Sequence, residues 1–170
     1  MKLRIDLASQ ELELQDDAGG VLRRYPVSTA VNGPGEESGS FCTPRGSHIV
    51  RAKIGASQPP GTVFKGRRPS GELCTPELVH AYPDRDWILC RILWLSGREP
   101  GFNRLGNRDS MRRYIYIHGT PDETFEQAPR SHGCIRMRCA DLEELFDRIP
   151  VYTRVEIIEG GDVPACLPAA

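Results

Sequence analysis

Between Trp87 and Leu95 the chain reads Trp-Ile-Leu-Cys-Arg-Ile-Leu-Trp-Leu, almost unbroken apolar sequence. A run of that length and composition suits a central strand covered on both faces. It constrains the rest of the chain, which must supply sheet neighbours on its edges and apolar layers above and below. The flanks agree. Residues 55–76 and 97–108 are rich in Gly and Pro and read as loops, long enough to be binding elements in a compact domain.

The remaining segments read mostly as strands. Leu3, Ile5 and Leu7 alternate with Lys2, Arg4 and Asp6, and Leu12 and Leu14 repeat the period of two. Asp17-Ala18-Gly19-Gly20 is a turn leading into a strand over 21–27. Pro44-Arg45-Gly46 turns into a strand over 47–54, and 114–117 and 153–158 supply two more. Only one segment changes period. Leu142, Leu145, Phe146 and Ile149 fall on one face of a helix. Asp141, Glu143 and Glu144 complement its N-terminal dipole, and Pro150 stops it. The expectation is a mostly β domain over 1–159 with one main helix near 140–149, followed by a tail over 160–170 to which no function is assigned.

At 170 residues the chain makes one domain with a real core. Its net charge of −1 gives no electrostatic case for nucleic acid or an anionic membrane as partner. No stretch reaches the roughly eighteen apolar residues of a membrane span. Charges interrupt the N-terminal apolar residues, so no signal-peptide core is read there. The expected location is the cytoplasm, or the periplasm if a leader has been removed. Of the 22 basic residues 19 are Arg, which suits carboxylate-bearing ligands. Six cysteines, at 42, 74, 90, 134, 139 and 166, are irregularly spaced and contain no CxxC pair. They are expected to be reduced.

The chemistry concentrates in Ser131-His132-Gly133-Cys134-Ile135-Arg136, with His118-Gly119 upstream at the end of an apolar strand. A thiol, an imidazole and a side-chain-free neighbour are the parts of an acyl-transfer site. The thiolate attacks a carbonyl, the imidazole takes and returns the proton, and backbone N–H groups reach the oxyanion. A nearby imidazole is expected to deepen ionisation of the Cys134 thiol. The zinc reading of His118, His132 and Cys134 lacks a fourth ligand at a metal-like spacing, so no metal and no cofactor are expected. His48 and His80 are read as structural or surface residues, and the cysteines other than Cys134 as inert. Trp87 and Trp94 are read as core, and Arg23-Arg24 and Arg67-Arg68 as solvated. Alternation sends Tyr114 and Tyr116 to one side.

His-Gly, an eleven-residue spacer, then Ser-His-Gly-Cys-x-Arg resembles the signature of the L,D-transpeptidase (YkuD-type) catalytic domains of peptidoglycan metabolism. Tyr25-Pro26-Val27-Ser28-Thr29, Cys42-Thr43-Pro44-Arg45-Gly46 and Ile92-Leu93-Trp94-Leu95-Ser96-Gly97 extend the resemblance to about residues 2–158. The spacer is at the short end for the family, and Arg136 stands where Asn is the other common choice.

The resemblance implies a β-sandwich-like fold of mixed sheets with the active site under a loop flap. Cys134 would be the nucleophile and His118 its base, with the Gly119 carbonyl fixing the imidazole tautomer. The N–H groups of Gly133 and Cys134 would form much of the oxyanion hole. His132 and Ser131 would belong to the pocket, and Arg136 would hold a substrate carboxylate. It also implies muropeptide tetrapeptide stems as substrates, a thioester at the diaminopimelate carbonyl with release of D-Ala, and carbapenem-type β-lactams as covalent inhibitors. The expected activity is a cytoplasmic L,D-carboxypeptidase of murein recycling. The alternatives are an L,D-transpeptidase that forms 3-3 crosslinks or exchanges D-amino acids, and a non-catalytic muropeptide-binding protein.

Overall fold

The computed structural model of the protein describes residues 1–160. The expected tail lies, beyond Gly160, outside the described residues.

Among the described residues ten strands and two α-helices follow one another. They are β1 (Lys2–Asp6), β2 (Glu11–Gln15), β3 (Val21–Pro26), β4 (Gly46–Ile54), β5 (Thr62–Lys65), β6 (Arg68–Leu73), α1 (Pro76–Ala81), β7 (Leu89–Gly97), β8 (Tyr116–Thr120), β9 (Ile135–Arg138), α2 (Cys139–Arg148) and β10 (Arg154–Ile158). The strands form one curled mixed sheet in the order β3-β2-β1-β10-β4-β7-β5-β6, with β8 and β9 continuing from the other edge of β7. One curled mixed sheet and one main helix are thus observed, with all ten described strands joined in one hydrogen-bonded network.

β7 is the hub that the apolar run promised. β4 pairs with it along one edge (Ile54↔Ile92 to His48↔Gly97), and β8 pairs antiparallel along the other (Ile92↔His118, Trp94↔Tyr116). Leu93, Leu95, Ile117, Ile135 and Met137 point to one face, where α2 lays down Leu142, Leu145 and Phe146 over the main core. Cutting any of these α2 side chains back to Ala costs about 2–5 kcal/mol in a core of this kind. The helix ends where Ile149 caps it ahead of Pro150. Lys53 Nζ reaches from β4 to the carbonyls of Phe146 and Ile149, at 2.5 and 2.7 Å. A cation on the last carbonyls suits the negative end of the helix dipole.

Two expectations need correcting. Residues 55–76 are not all loop, because β5 and β6 form a hairpin inside them. Its two-residue turn is Gly66-Arg67, with φ of 54° and 66°. Both residues therefore take the left-handed conformation of a primed hairpin turn, which the strand twist favours. The second correction concerns the thiols. Cys90 in β7 and Cys139 at the start of α2 form a disulfide across a 49-residue separation, with Cα atoms 5.9 Å apart. Irregular spacing concealed it because the two cysteines meet only through tertiary packing. Cys42, Cys74 and Cys134 are free thiols.

Candidate active site

β8 and β9 run parallel, with Ile117↔Ile135 and His118↔Arg136 in register. Registered residues of neighbouring strands share a face, and so do residues two apart. Tyr116, His118, Cys134 and Arg136 therefore stand on the face away from α2. Ile92 and Trp94 of β7 line the same face, and Phe64 of the hairpin packs over it, so Cys134 sits in a small apolar cluster with Phe64, Ile92, Trp94 and Tyr116.

His118 is buried, and its Nδ1 lies 2.9 Å from Gly119 O. A carbonyl can only accept, so Nδ1 carries the hydrogen and Nε2 presents its lone pair. Burial holds the imidazole below its ordinary range, against the pull of Asp86. The Cys134 thiol donates to Tyr114 O at 3.4 Å, and its sulfur accepts the Tyr116 N–H at 3.4 Å. Part of Cys134 still faces solvent, yet burial pushes the thiol up to about 12. This overturns the expectation of a partly ionised sulfur: the apolar cluster disfavours the thiolate more than the Tyr116 N–H and the guanidinium groups of Arg136 and Arg113 favour it. The resting pair is neutral thiol and neutral imidazole.

The turn before Cys134 is held by its own side chains and by the 42–43 segment. Ser131 Oγ donates to Cys134 O at 2.5 Å and accepts the Gly133 N–H at 3.2 Å. The Gly133 N–H, expected in the oxyanion hole, is thereby already engaged by the turn. Gly133 takes φ +128°. Its carbonyl accepts from the buried Thr43 Oγ1 at 3.0 Å. Arg113 in turn binds Cys42 O at 2.7 Å. His132 projects outward beside Phe41, ring centroids 6.1 Å apart, at a pocket of about 290 Å³. Phe41, Arg113, Tyr114 and Ile115 also line this pocket.

Arg136 Nη2 donates to Asp86 Oδ1 at 2.7 Å and Nη1 to Arg130 O at 3.2 Å. Its Nε is buried with no partner among the described residues. Beyond Asp86 opens a pocket of about 660 Å³, lined by Phe64, Lys65, Tyr82 and Arg85 among others.

Several residues at the site escaped the sequence. Arg67, read as solvated, lies at the hairpin tip with its guanidinium 4.6 Å from the Trp94 ring and 4.8 Å from the Tyr114 ring, donating to Tyr116 Oη at 2.9 Å. Trp94, read as core, does pack against the Phe64, Ile92 and Tyr116 cluster, partly buried on the site face. Tyr114 and Tyr116 share a side, as alternation implies: both rings pack against Trp94 and both side chains meet Arg67, although Tyr114, at φ +57°, is exposed and Tyr116 is buried. The one available signal was Lys65-Gly66-Arg67-Arg68, a two-residue turn between strand-like stretches. Asp86 carried none, since it meets Arg136 only through the fold. His48 is structural: its Nδ1 donates to Gly46 O at 2.9 Å, and its Nε2 accepts from Ser110 Oγ at 2.8 Å. His80 is exposed on α1.

Comparison with known proteins agrees with this geometry. The family model of the YkuD L,D-transpeptidase catalytic domain matches residues 2–157. The probable L,D-transpeptidase YbiS of Escherichia coli K12 is 43% identical over 47 residues, 28% of this chain and 15% of that protein. Among solved structures, an L,D-transpeptidase from Xylanimonas cellulosilytica DSM 15894 has TM-score 0.53 at 22% identity, over 92% of this chain and 59% of that one. The L,D-transpeptidase LdtMt1 in complex with imipenem has TM-score 0.52 at 18% identity, over 92% of this chain and 57% of that one. The match thus spans less than a sixth of the curated relative and under three fifths of these solved chains. At such identities the solved structures speak to the fold.

Proposed function

This chain belongs to the L,D-transpeptidase (YkuD) catalytic-domain family, and from that premise we propose that it is a cysteine acyl-transfer enzyme acting on muropeptide tetrapeptide stems. One observation carries the reading: Cys134, in the bend that leads into β9, meets Tyr116 of β8 on the face that His118 also lines, and the Gly119 carbonyl fixes the imidazole with Nε2 free to accept a proton.

In this mechanism the Cys134 thiol leaves the Tyr114 carbonyl, passes its proton to His118 Nε2 and attacks the diaminopimelate carbonyl. The oxyanion is met by the Cys134 N–H, and by the Gly133 N–H if it leaves Ser131 Oγ. His118 returns the proton to the departing amine, D-Ala leaves, and a Cys134 thioester remains. An incoming amine or water then attacks with His118 again as base, releasing the thiol. Arg136, with its unpartnered Nε, would take a substrate carboxylate in place of Asp86. Pairing of His132 with Phe41 makes that pocket a second surface for the stems.

The acceptor follows from the compartment. A disulfide is at home in an oxidising space. That favours action outside the cytoplasm, where amines of neighbouring stems are at hand, and hence crosslinking or D-amino-acid exchange over cytoplasmic carboxypeptidase action. No helix among the described residues is long and apolar enough to cross a membrane. A non-catalytic binding protein would have no use for a thiol and imidazole arranged in this way.

The test is to incubate the protein with disaccharide tetrapeptide, with and without excess D-methionine, and read product masses. A dimer or a D-methionine product supports acyl transfer to amines. Loss of D-Ala alone selects hydrolysis, and no change of mass selects binding without catalysis.

A further inference from the structure

The disulfide does more than join β7 to α2. Gly119, whose carbonyl holds His118 Nδ1, lies in β8 between its two neighbours, paired with Leu89 of β7 and Met137 of β9. Cys90 follows Leu89, and Cys139 comes two residues after Met137, so the S–S bond crosses the back of β8 at Gly119. The fit is close: a β-carbon on Gly119 would stand 2.7 Å from Leu89 O and 2.9 Å from Cys139 Sγ. Cys90 is held at φ +66°, in the interruption of the β7–β8 register between Leu89 and Ile92. A left-handed non-glycine residue at such a point persists where its surroundings impose it.

We propose that the Cys90–Cys139 disulfide is a positioning element for the general base, clamping Gly119 so that its carbonyl keeps His118 in the tautomer that presents Nε2 to Cys134. The inference rests on the reading of His118 as base. With the clamp open, β8 gains room behind Gly119, the Nδ1–H···O bond loosens, and the imidazole populates its other tautomer, whose Nε2 cannot accept a proton. The charged groups facing His118 are Asp86 and Arg136. Both lie on the opposite face from the disulfide, so opening it changes the support of the ring and leaves its electrostatic neighbours in place.

Dithiothreitol provides the test. Its two thiols reduce the disulfide to Cys90 and Cys139 thiols and close to a cyclic disulfide, while Cys134, already a thiol, is unaffected. Imipenem acylation followed by intact mass, and the ¹⁵N signals of His118, are measured on oxidised and reduced protein, with circular dichroism to verify the fold. The Cys90→Ala/Cys139→Ala variant is the second arm, and the reduced wild type stands alone should that variant not fold. The expected result is a tenfold or greater fall in the acylation rate constant, a smaller change in the half-saturating concentration, a shift of the ¹⁵N pattern away from pure Nδ1–H, and recovery on reoxidation. Reduced protein with an unchanged rate and unchanged His118 signals, or one that loses only thermal stability, overturns the proposal. If oxidised protein does not acylate at all yet its His118 tautomer responds to reduction, the clamp stands and the functional reading fails.

Discussion

The Cys134 thiol is hydrogen-bonded to the Tyr114 carbonyl at 3.4 Å, not to His118. With burial lifting the thiol to about 12 and holding the imidazole below its ordinary value, a resting thiolate–imidazolium pair is disfavoured. Proton transfer then accompanies attack on the substrate. Alkylation of Cys134 by iodoacetamide, followed by peptide mapping to separate it from Cys42 and Cys74, should be slow at pH 7 and climb steadily through pH 9. A rate that is flat between pH 6 and 8 would reveal a preformed thiolate.

Replacing the sulfur tests the nucleophile. Cys134→Ala should lower muropeptide turnover by at least about 10³-fold, as removal of a covalent nucleophile does. It should also abolish the imipenem mass adduct while leaving the denaturation midpoint nearly unchanged. Retained turnover would assign the chemistry elsewhere.

Arg136 and Asp86 should move in opposite directions. Loss of a charge-assisted bond to a carboxylate costs about 1.5–3 kcal/mol. Arg136→Gln should therefore raise KM for the tetrapeptide about tenfold or more. Asp86→Asn removes the competing carboxylate and should lower KM. Steady-state kinetics on both variants check this, and equal effects of the same sign would remove Arg136 from substrate recognition.

His48 makes the fold acid-sensitive. It is fully buried, and burial holds it down to about 4 against an ordinary 6.5. The unfolded chain therefore binds a proton that the folded one refuses. Its contribution is complete above pH 6.5 and is lost as pH falls toward 4, about 2 kcal/mol at pH 5. His118, also held down, adds a slope of the same sign. Urea titrations at pH 7 and pH 5 should show the loss, and His48→Gln should flatten part of it. A wild-type slope unchanged by His48→Gln would refute the assignment.

The disulfide should also stabilise the chain globally. In the chain-entropy account, closing a loop of 49 residues is worth about 4 kcal/mol. Urea denaturation with and without reductant reads this directly. A difference under about 1 kcal/mol would mean that native strain offsets the benefit.

The strands were legible wherever one local period sufficed. Leu3, Ile5, Leu12 and Leu14 alternate and are buried, the 87–95 run became the hub strand, and Leu142, Leu145, Phe146 and Ile149 form the apolar face of α2. The motif residues were legible as a linear pattern, and the fold does bring His118, Cys134 and Arg136 to one face. What stayed hidden depends on distance in sequence. Asp86 meets Arg136 from 50 residues away, Thr43 reaches Gly133 from 90, and Cys90 finds Cys139 from 49. The ionisation state of Cys134 was misread because motif chemistry names the partners and says nothing of the apolar lining that Phe64 and Ile92 add. Arg67 was misread because a positive residue beside another positive residue looks solvated until two aromatic rings and the Tyr116 hydroxyl gather around it.

β1 pairs in parallel with β10, Lys2 with Arg154 through Asp6 with Ile158. β1 therefore waits for β10, made much later, before its second edge is satisfied. During synthesis the chain cannot close its sheet until residues near 158 have cleared the ribosome, and pairings of such high contact order form slowly. Until then β1 offers an open edge to any neighbouring chain. Removing β10 would uncover that edge permanently, together with the edge of β4 that faces β10, and the product should aggregate rather than persist as a smaller folded domain.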